Sequence, residues 1–317
     1  MHLQGEVYNL GYQRYDGPRE GRSRARRAIF ENGVRTVLGI GRGPRAKILP
    51  ALLFLGAIIP ALTFVIILSV AGPAADFLPG PADYYQVVSI ILLLFGAISA
   101  PELLCPDRRD KVIHLYLVRP LTPTDYVVGR FLAFFVIVLA LAYSGQVILQ
   151  VGLVLSASDP WEYIRDNWAD IPRFLGAGVL VALFITTVPL AAAAFTDRRA
   201  YAASFVIGLF IITTGMADAL TSTEHCREAA SGRDGSTRMV CEDGGEAVTG
   251  DAAKWFSLIS IRDVPLRIND MIFDNETDAP SAKAAAELHD SISITWYALF
   301  TAGPMLLVWL RYRRIRE

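Results

Sequence analysis

The sequence predicts an all-α integral membrane protein with six transmembrane helices and both termini on the same side. Three observations carry this reading. Six apolar stretches, at 50–71, 84–104, 126–155, 174–195, 201–220 and 291–310, each reach or approach the ~20 residues that a helix needs to cross hydrocarbon. Charge is nearly absent from the interiors of these stretches, although charged residues make up 19% of the chain. Finally, the connections alternate in sign: twenty Lys and Arg fall before the first stretch, at 105–125, at 196–199 and after the last, against nine in the three opposite loops. The basic side is expected to be cytoplasmic, which makes the chain N-in and C-in. A near-neutral net charge of −1 therefore conceals a strongly polarised molecule.

Region 1–49 reads as a cytoplasmic lead. Its polar, Arg-rich composition does not resemble a signal peptide, so the first span is the expected insertion signal. Within it, 25–40 places Ala25, Ala28, Ile29, Val34, Val37 and Leu38 at helical spacing, surrounded by Arg24, Arg26, Arg27, Glu31 and Arg35. This is an amphipathic helix with a basic face, fitted either to the inner leaflet or to a soluble partner. The glycines of 39–44 have no GK[ST] after them and read as a break before span one.

Region 50–222 carries spans one to five. Between spans two and three, 105–125 is too short and too charged to be a span, yet contains an apolar run at 112–118. A short helix starting near Asp107 and ending at Arg119-Pro120 is expected there, projecting as a hook, with Asp125 capping span three. Outside, Trp161, Tyr163, Ile164 and Trp168 interleave with charges, as at a headgroup interface.

Region 223–290 is the long outer loop. Its first part is polar and acidic. Cys226 and Cys241 within it are a candidate disulfide worth roughly 3 kcal/mol in the chain-entropy model, or two free thiols. Segment 254–273 is apolar, and two short re-entrant helices hinged near Pro265 are expected. Region 291–317 holds span six and a basic tail.

Polar residues within the spans include Glu102, Arg130, Gln146, Gln150, Thr186, Thr187, Thr213, Thr214 and Asp218. Glu102, Arg130 and Asp218 lie near span ends, which favours structural roles. Gln146 and Gln150, one turn apart, and Thr213 and Thr214 are candidate pathway residues; the glutamines could equally join helices. No P-loop, HExxH, metal-spaced Cys/His pair or GxSxG elbow occurs in the chain. No catalytic, cofactor or metal site is therefore assigned, and no nucleic-acid partner is expected.

Pro101-Glu102, the cluster Asp107-Arg108-Arg109-Asp110-Lys111, then Arg119-Pro120-Leu121-Thr122-Pro123-Thr124-Asp125-Tyr126 and Gly129-Arg130 resemble the signature of ABC-2-type permeases. Arg130 stands where that family usually has Lys. The 8–15 segment and Gly41 to Lys47 also look like the amino-terminal region of a bacterial branch of these permeases. The resemblance implies a type V exporter-like, six-helix subunit in a bacterial cytoplasmic membrane. A second permease subunit, identical or not, would sit beside it, with two copies of an ABC ATPase carrying ATP and Mg beneath. It also implies that 25–40 is the connecting helix and that Asp107, Arg108, Arg109, Lys111, His114, Tyr116, Arg119 and Pro120 couple the permease to the ATPase. Cargo in the family ranges over drugs, lipids, glycans and peptides. A non-transporting membrane scaffold or sensor, and an ATP-independent carrier, are the alternative readings.

Overall fold

The computed structural model describes residues 17, 20–71, 80–113, 121–157, 159–221, 226–231, 236–241, 251–275 and 280–314. An opening helix, α1 (Gly21–Val37), precedes α2 (Arg45–Ala71), α3 (Tyr84–Arg109) and α4 (Pro123–Ser156). A short α5 (Pro160–Asp166) leads to α6 (Asp170–Phe195) and α7 (Arg199–Thr221). The connection that follows contains the antiparallel strands β1 (Cys226–Ser231) and β2 (Ser236–Cys241), then α8 (Asp251–Phe256), a 3-10 turn (Ser257–Ile259), α9 (Asp263–Phe273) and α10 (Pro280–Ala286). The last helix is α11 (Asp290–Arg313).

Six of these helices, α2, α3, α4, α6, α7 and α11, are long and apolar enough to cross a membrane. They coincide with the six predicted stretches. In the most apolar part of each helix, α3 and α6 are 67% buried, whereas α2 is 17% and α7 and α11 are 22% buried. The centre is thus α3 with α6. α2 packs on α3 and α4, α7 packs on α3 and α6, and α11 packs on α6 and α4. The outward faces remain apolar: Leu52, Leu55, Ile59 and Ile66 on α2, and Leu132, Val136 and Val151 on α4, are exposed. In water such surface would be a liability, and in hydrocarbon it is what the solvent requires.

Close helix approach depends on small residues. A Cβ on Gly33 of α1 would stand 2.6 Å from Ala133 Cβ of α4, and one on Gly129 would stand 2.8 Å from Ile29 Cγ2. Gly145 makes room for the Tyr84 hydroxyl, which donates to the Ala57 carbonyl at 3.0 Å and so ties α3, α4 and α2 together. Tyr85 similarly donates to the Phe174 carbonyl at 3.0 Å, joining α3 to α6.

Three expectations change in detail. The α1 helix buries Ile29, Gly33 and Val37 against α4 and α3, so its apolar face is filled by its own bundle. The acidic loop after α7 contains a β-ribbon whose register sets Cys226 opposite Cys241; their side chains lie outside the described residues. The all-α expectation therefore holds for the spanning core but not for this loop. In the re-entrant segment, the break falls at 260–262, and Pro265 occupies the first turn of α9, where its missing N–H costs nothing.

Segment 254–273 packs against the spanning helices. Ser260 Oγ meets Thr214 Oγ1 at 3.3 Å, and Thr214 lies seven residues, about 10 Å, below the end of α7. Trp296, six residues into α11, donates its indole N–H to the Leu258 carbonyl at 2.9 Å. Asn269 donates to the Ala82 carbonyl at 2.8 Å, and Arg262 reaches Ser89 Oγ at 3.1 Å.

Candidate functional site

The densest polar arrangement lies at one end of the bundle. There α2, α4 and α7 begin and α3, α6 and α11 finish. Charged and aromatic residues of α3, α4, α7 and α11, with Arg42 just before α2 and a carbonyl of α6, form a belt around the root of the 105–125 hook.

The root has two sides. On the outgoing side, α3 runs straight through Pro106 and Asp107 to Arg109. It stops in a Schellman arrangement: the Lys111 N–H reaches the Arg108 carbonyl at 3.2 Å, and the Val112 N–H reaches the Asp107 carbonyl at 3.0 Å. Lys111 adopts φ 55, a left-handed conformation that glycine would occupy with less strain. The expected helix start near Asp107 is thus replaced by a helix end, because the α3 hydrogen-bond ladder continues past Pro106. On the returning side, Thr122 is the N-cap of α4, Pro123 its first residue, and Asp125 the third. The Thr122 side chain accepts from the Asp125 N–H, while Asp125 accepts from the Thr122 N–H at 2.9 Å. The expected cap at Asp125 thus moves three residues back to Thr122, because α4 starts at Pro123, and Asp125 closes the capping box from inside the first turn.

Ion pairs knit the root to its neighbours. Asp107 accepts from the buried Arg130 guanidinium and from the Tyr126 hydroxyl at 2.8 Å. Tyr126 in turn packs on Tyr312 of α11, with centroids 5.3 Å apart. Arg108 donates to the Ala194 carbonyl at the end of α6. Asp125 is gripped by α1 through Arg22 and Arg26, each at 2.7 Å. Glu102 of α3 bridges Arg42, which precedes α2, and Arg199 at the start of α7. On the outer face of α1, a hydrogen bond from Arg27 holds the Glu31 carboxyl below the usual carboxylate range. A cleft of about 650 Å³ opens beside this belt, with Arg42, Glu102, Arg109, Asp110 and Arg199 in its walls.

The proposed coupling residues divide accordingly. Asp107 and Arg108 point into the bundle. Arg109 and Lys111 are exposed, and Arg109 pairs with Asp110 at 2.9 Å. His114, Tyr116, Arg119 and Pro120 lie outside the described residues. Sequence reasoning missed the other half of the belt: Arg22, Arg26, Arg42, Arg199 and Tyr312. Only the i, i+4 spacing of Arg22 and Arg26 hinted at a shared face, and nothing local revealed the acceptor about a hundred residues away.

The pathway candidates are not brought together. Gln146 is fully buried and donates to the Pro81 carbonyl at 3.2 Å, pinning α4 to the turn before α3. Gln150 is half-buried on the same helix. On α7, Thr213 bonds back to the Leu209 carbonyl at 2.7 Å and Thr214 holds the re-entrant tip. The α6 helix packs on both α4 and α7. Gln146 and Thr214 are thus joints between helices.

Among the described residues, no cluster of His, Cys, Asp or Glu has the geometry to hold a metal ion. The belt has no nucleophile paired with a base; what it offers is mechanical continuity. A scan against protein-family models and a search of curated proteins find no match to this chain.

Proposed function

We propose that this chain is the membrane-spanning subunit of an ATP-driven exporter of the ABC-2 type, in which partner ATPases push on the hook and thereby rock the helices. The observation that carries this reading is the belt. A segment leaving one helix through a strained cap and returning through a capping box would dissipate an applied force if its roots were free. Here Asp107, Arg130 and Tyr126 lock the two roots to each other, while Asp125, Arg108 and Glu102 tie them to α1, α6 and α7. Movement of the hook is then movement of the bundle.

In this reading the belt end faces the cytoplasm of a bacterial cell, α1 is the connecting helix, and a second permease completes the pathway. The chain itself has no catalytic role, and ATP with Mg binds the two ATPase copies. The cargo class spans drugs, lipids, glycans and peptides.

The test is to extract the intact protein gently from its native membrane and identify its companions. A stoichiometric P-loop ATPase, whose hydrolysis becomes uncoupled from transport when Arg119 is replaced, is the expected result. Its absence from preparations that retain other known complexes, or unchanged transport with Arg119→Ala, would reject the reading.

A further inference from the structure

A second feature lies on the lateral face of the bundle, running away from the belt. Helices α6, α7 and α11 leave between them an apolar groove of about 450 Å³. Its floor is made by small residues, Ala191 and Ala192 of α6 and Ala202 of α7, and its walls by Phe205, Phe300 and Leu307. Along α7 it runs from Tyr201 to Leu209, eight residues or about 12 Å. Ile261, at the tip of the re-entrant segment, closes the far end. The groove is therefore a slot of finite depth and not an open seam.

Its other end opens at the belt, and the mouth is cationic. Arg198 lies over the Tyr201 ring, 5.3 Å from the centroid, and its guanidinium donates to the Tyr201 hydroxyl at 3.2 Å. Arg311 lies 5.9 Å from the centroid of Phe195. Tyr201 and Phe195 both line the slot, so each arginine is held at its rim by an aromatic ring. Among the described residues neither arginine forms an ion pair with a carboxylate, in contrast to Arg199 next door, which pairs with Glu102. Two exposed positive charges above a narrow hydrocarbon slot match one chemistry: a phosphate with an acyl chain beneath it. A second copy of the chain fits less well, because a two-fold axis along the helices would bring the arginines of both copies to the same depth with no carboxylate partner for them in the groove lining.

We propose that this groove is a binding site for an anionic phospholipid, with one acyl chain between α6, α7 and α11 and the phosphate between Arg198 and Arg311. The site depends only on the helices lying in a bilayer and stands apart from the ATPase reading.

Native mass spectrometry of the purified protein, titrated with phosphatidylglycerol and with phosphatidylcholine of the same chains, tests it. At roughly fivefold per surface arginine, the wild type should prefer phosphatidylglycerol by about twenty-five-fold. Arg198→Gln with Arg311→Gln should abolish that preference, while Arg165→Gln with Arg173→Gln, at the opposite end, should leave it intact. Ala192→Phe, which fills the slot, should lower retention of both lipids at least fivefold. All the arginines changed are exposed, so the charge variants should fold. Equal retention of the two lipids by the wild type, or an unchanged preference in the Arg198/Arg311 variant, would overturn the proposal. So would efficient cross-linking of Phe205→Cys to its copy in native membranes, because the groove would then be covered by protein.

Discussion

Replacing Asp125 with alanine should loosen α1 from the bundle without unfolding the spans. Asp125 does two things at once: it completes the cap of α4 with Thr122 and receives Arg22 and Arg26 from α1. Loss of the capping contribution should cost roughly 0.5–2 kcal/mol. Both arginines are about half exposed, so each ion pair is screened and contributes about 0.2–1 kcal/mol. Together these give about 1–4 kcal/mol, of which only the ion pairs hold α1 directly. At 1.4 kcal/mol per tenfold, α1 should open roughly two- to thirtyfold more often. The remaining grip comes from Ile29, Gly33 and Val37 packed on α4 and α3, which the substitution leaves in place. Amide hydrogen exchange in lipid nanodiscs reads this directly. Exchange across α1 should rise by that factor in Asp125→Ala, while the middle of α6 stays unchanged. Asp125→Asn, which keeps an acceptor for the Thr122 N–H but loses the charge, should reproduce most of the effect on α1. Unaltered α1 exchange in both variants would show that packing alone seats the helix and would remove Asp125 from the belt.

The buried Arg130–Asp107 pair predicts a larger loss. Arg130→Met should destabilise by about 3–5 kcal/mol by leaving Asp107 without its counter-charge, and adding Asp107→Leu should recover much of it; thermal unfolding of the two variants measures both. Lys111→Gly should raise stability by about 1 kcal/mol by relieving the left-handed strain at the hook root, seen as a higher unfolding midpoint. Gly145→Ala places a Cβ within 2.6 Å of the Ala57 carbonyl and against the Tyr84 hydroxyl, so overpacking and a lost buried hydrogen bond should together cost about 2–4 kcal/mol. By contrast, Gly208→Ala and Gly215→Ala on α7 meet nothing within 4 Å and should be neutral or slightly stabilising in the same assay.

The spans were legible because the signal is local and redundant: each needs only its own ~20 residues to declare itself. That Asp125 serves the cap of α4 was legible for the same reason, since a capping box closes within four residues, but Thr122 as the N-cap residue was not read. The end of α3 was misplaced because the charged run from Asp107 marks the edge of the apolar stretch, and two prolines, Pro101 and Pro106, sit in the last three turns of the helix. In the structure the helix carries both and stops only at Asp110. Proline removes one hydrogen bond, and packing of Leu103, Leu104 and Cys105 in the core outweighs that loss. Likewise the fate of the apolar face of α1 could not be read from α1, whose partner, Ala133, is a hundred residues further on.

The belt also explains why the charged residues near span ends fall into two groups. A charge at a helix end can reach water by snorkelling and needs no partner. Arg198 and Arg311 behave in this way, stretched over aromatic rings at the rim of the bundle. Arg130 does not, since it is 3% exposed and turned inward to Asp107. A structure needing only to anchor itself at the headgroups would have no use for that burial, which costs several kcal/mol per ion before pairing offsets it. What inward pairing supplies, and snorkelling does not, is a fixed geometry between two helices. Arg130, two turns into α4, is fixed to Asp107 in the last turn of α3, close to where the hook leaves one helix and rejoins the other. This is where rigidity is needed if the hook is pushed, and where it would be superfluous if the hook were merely a connection.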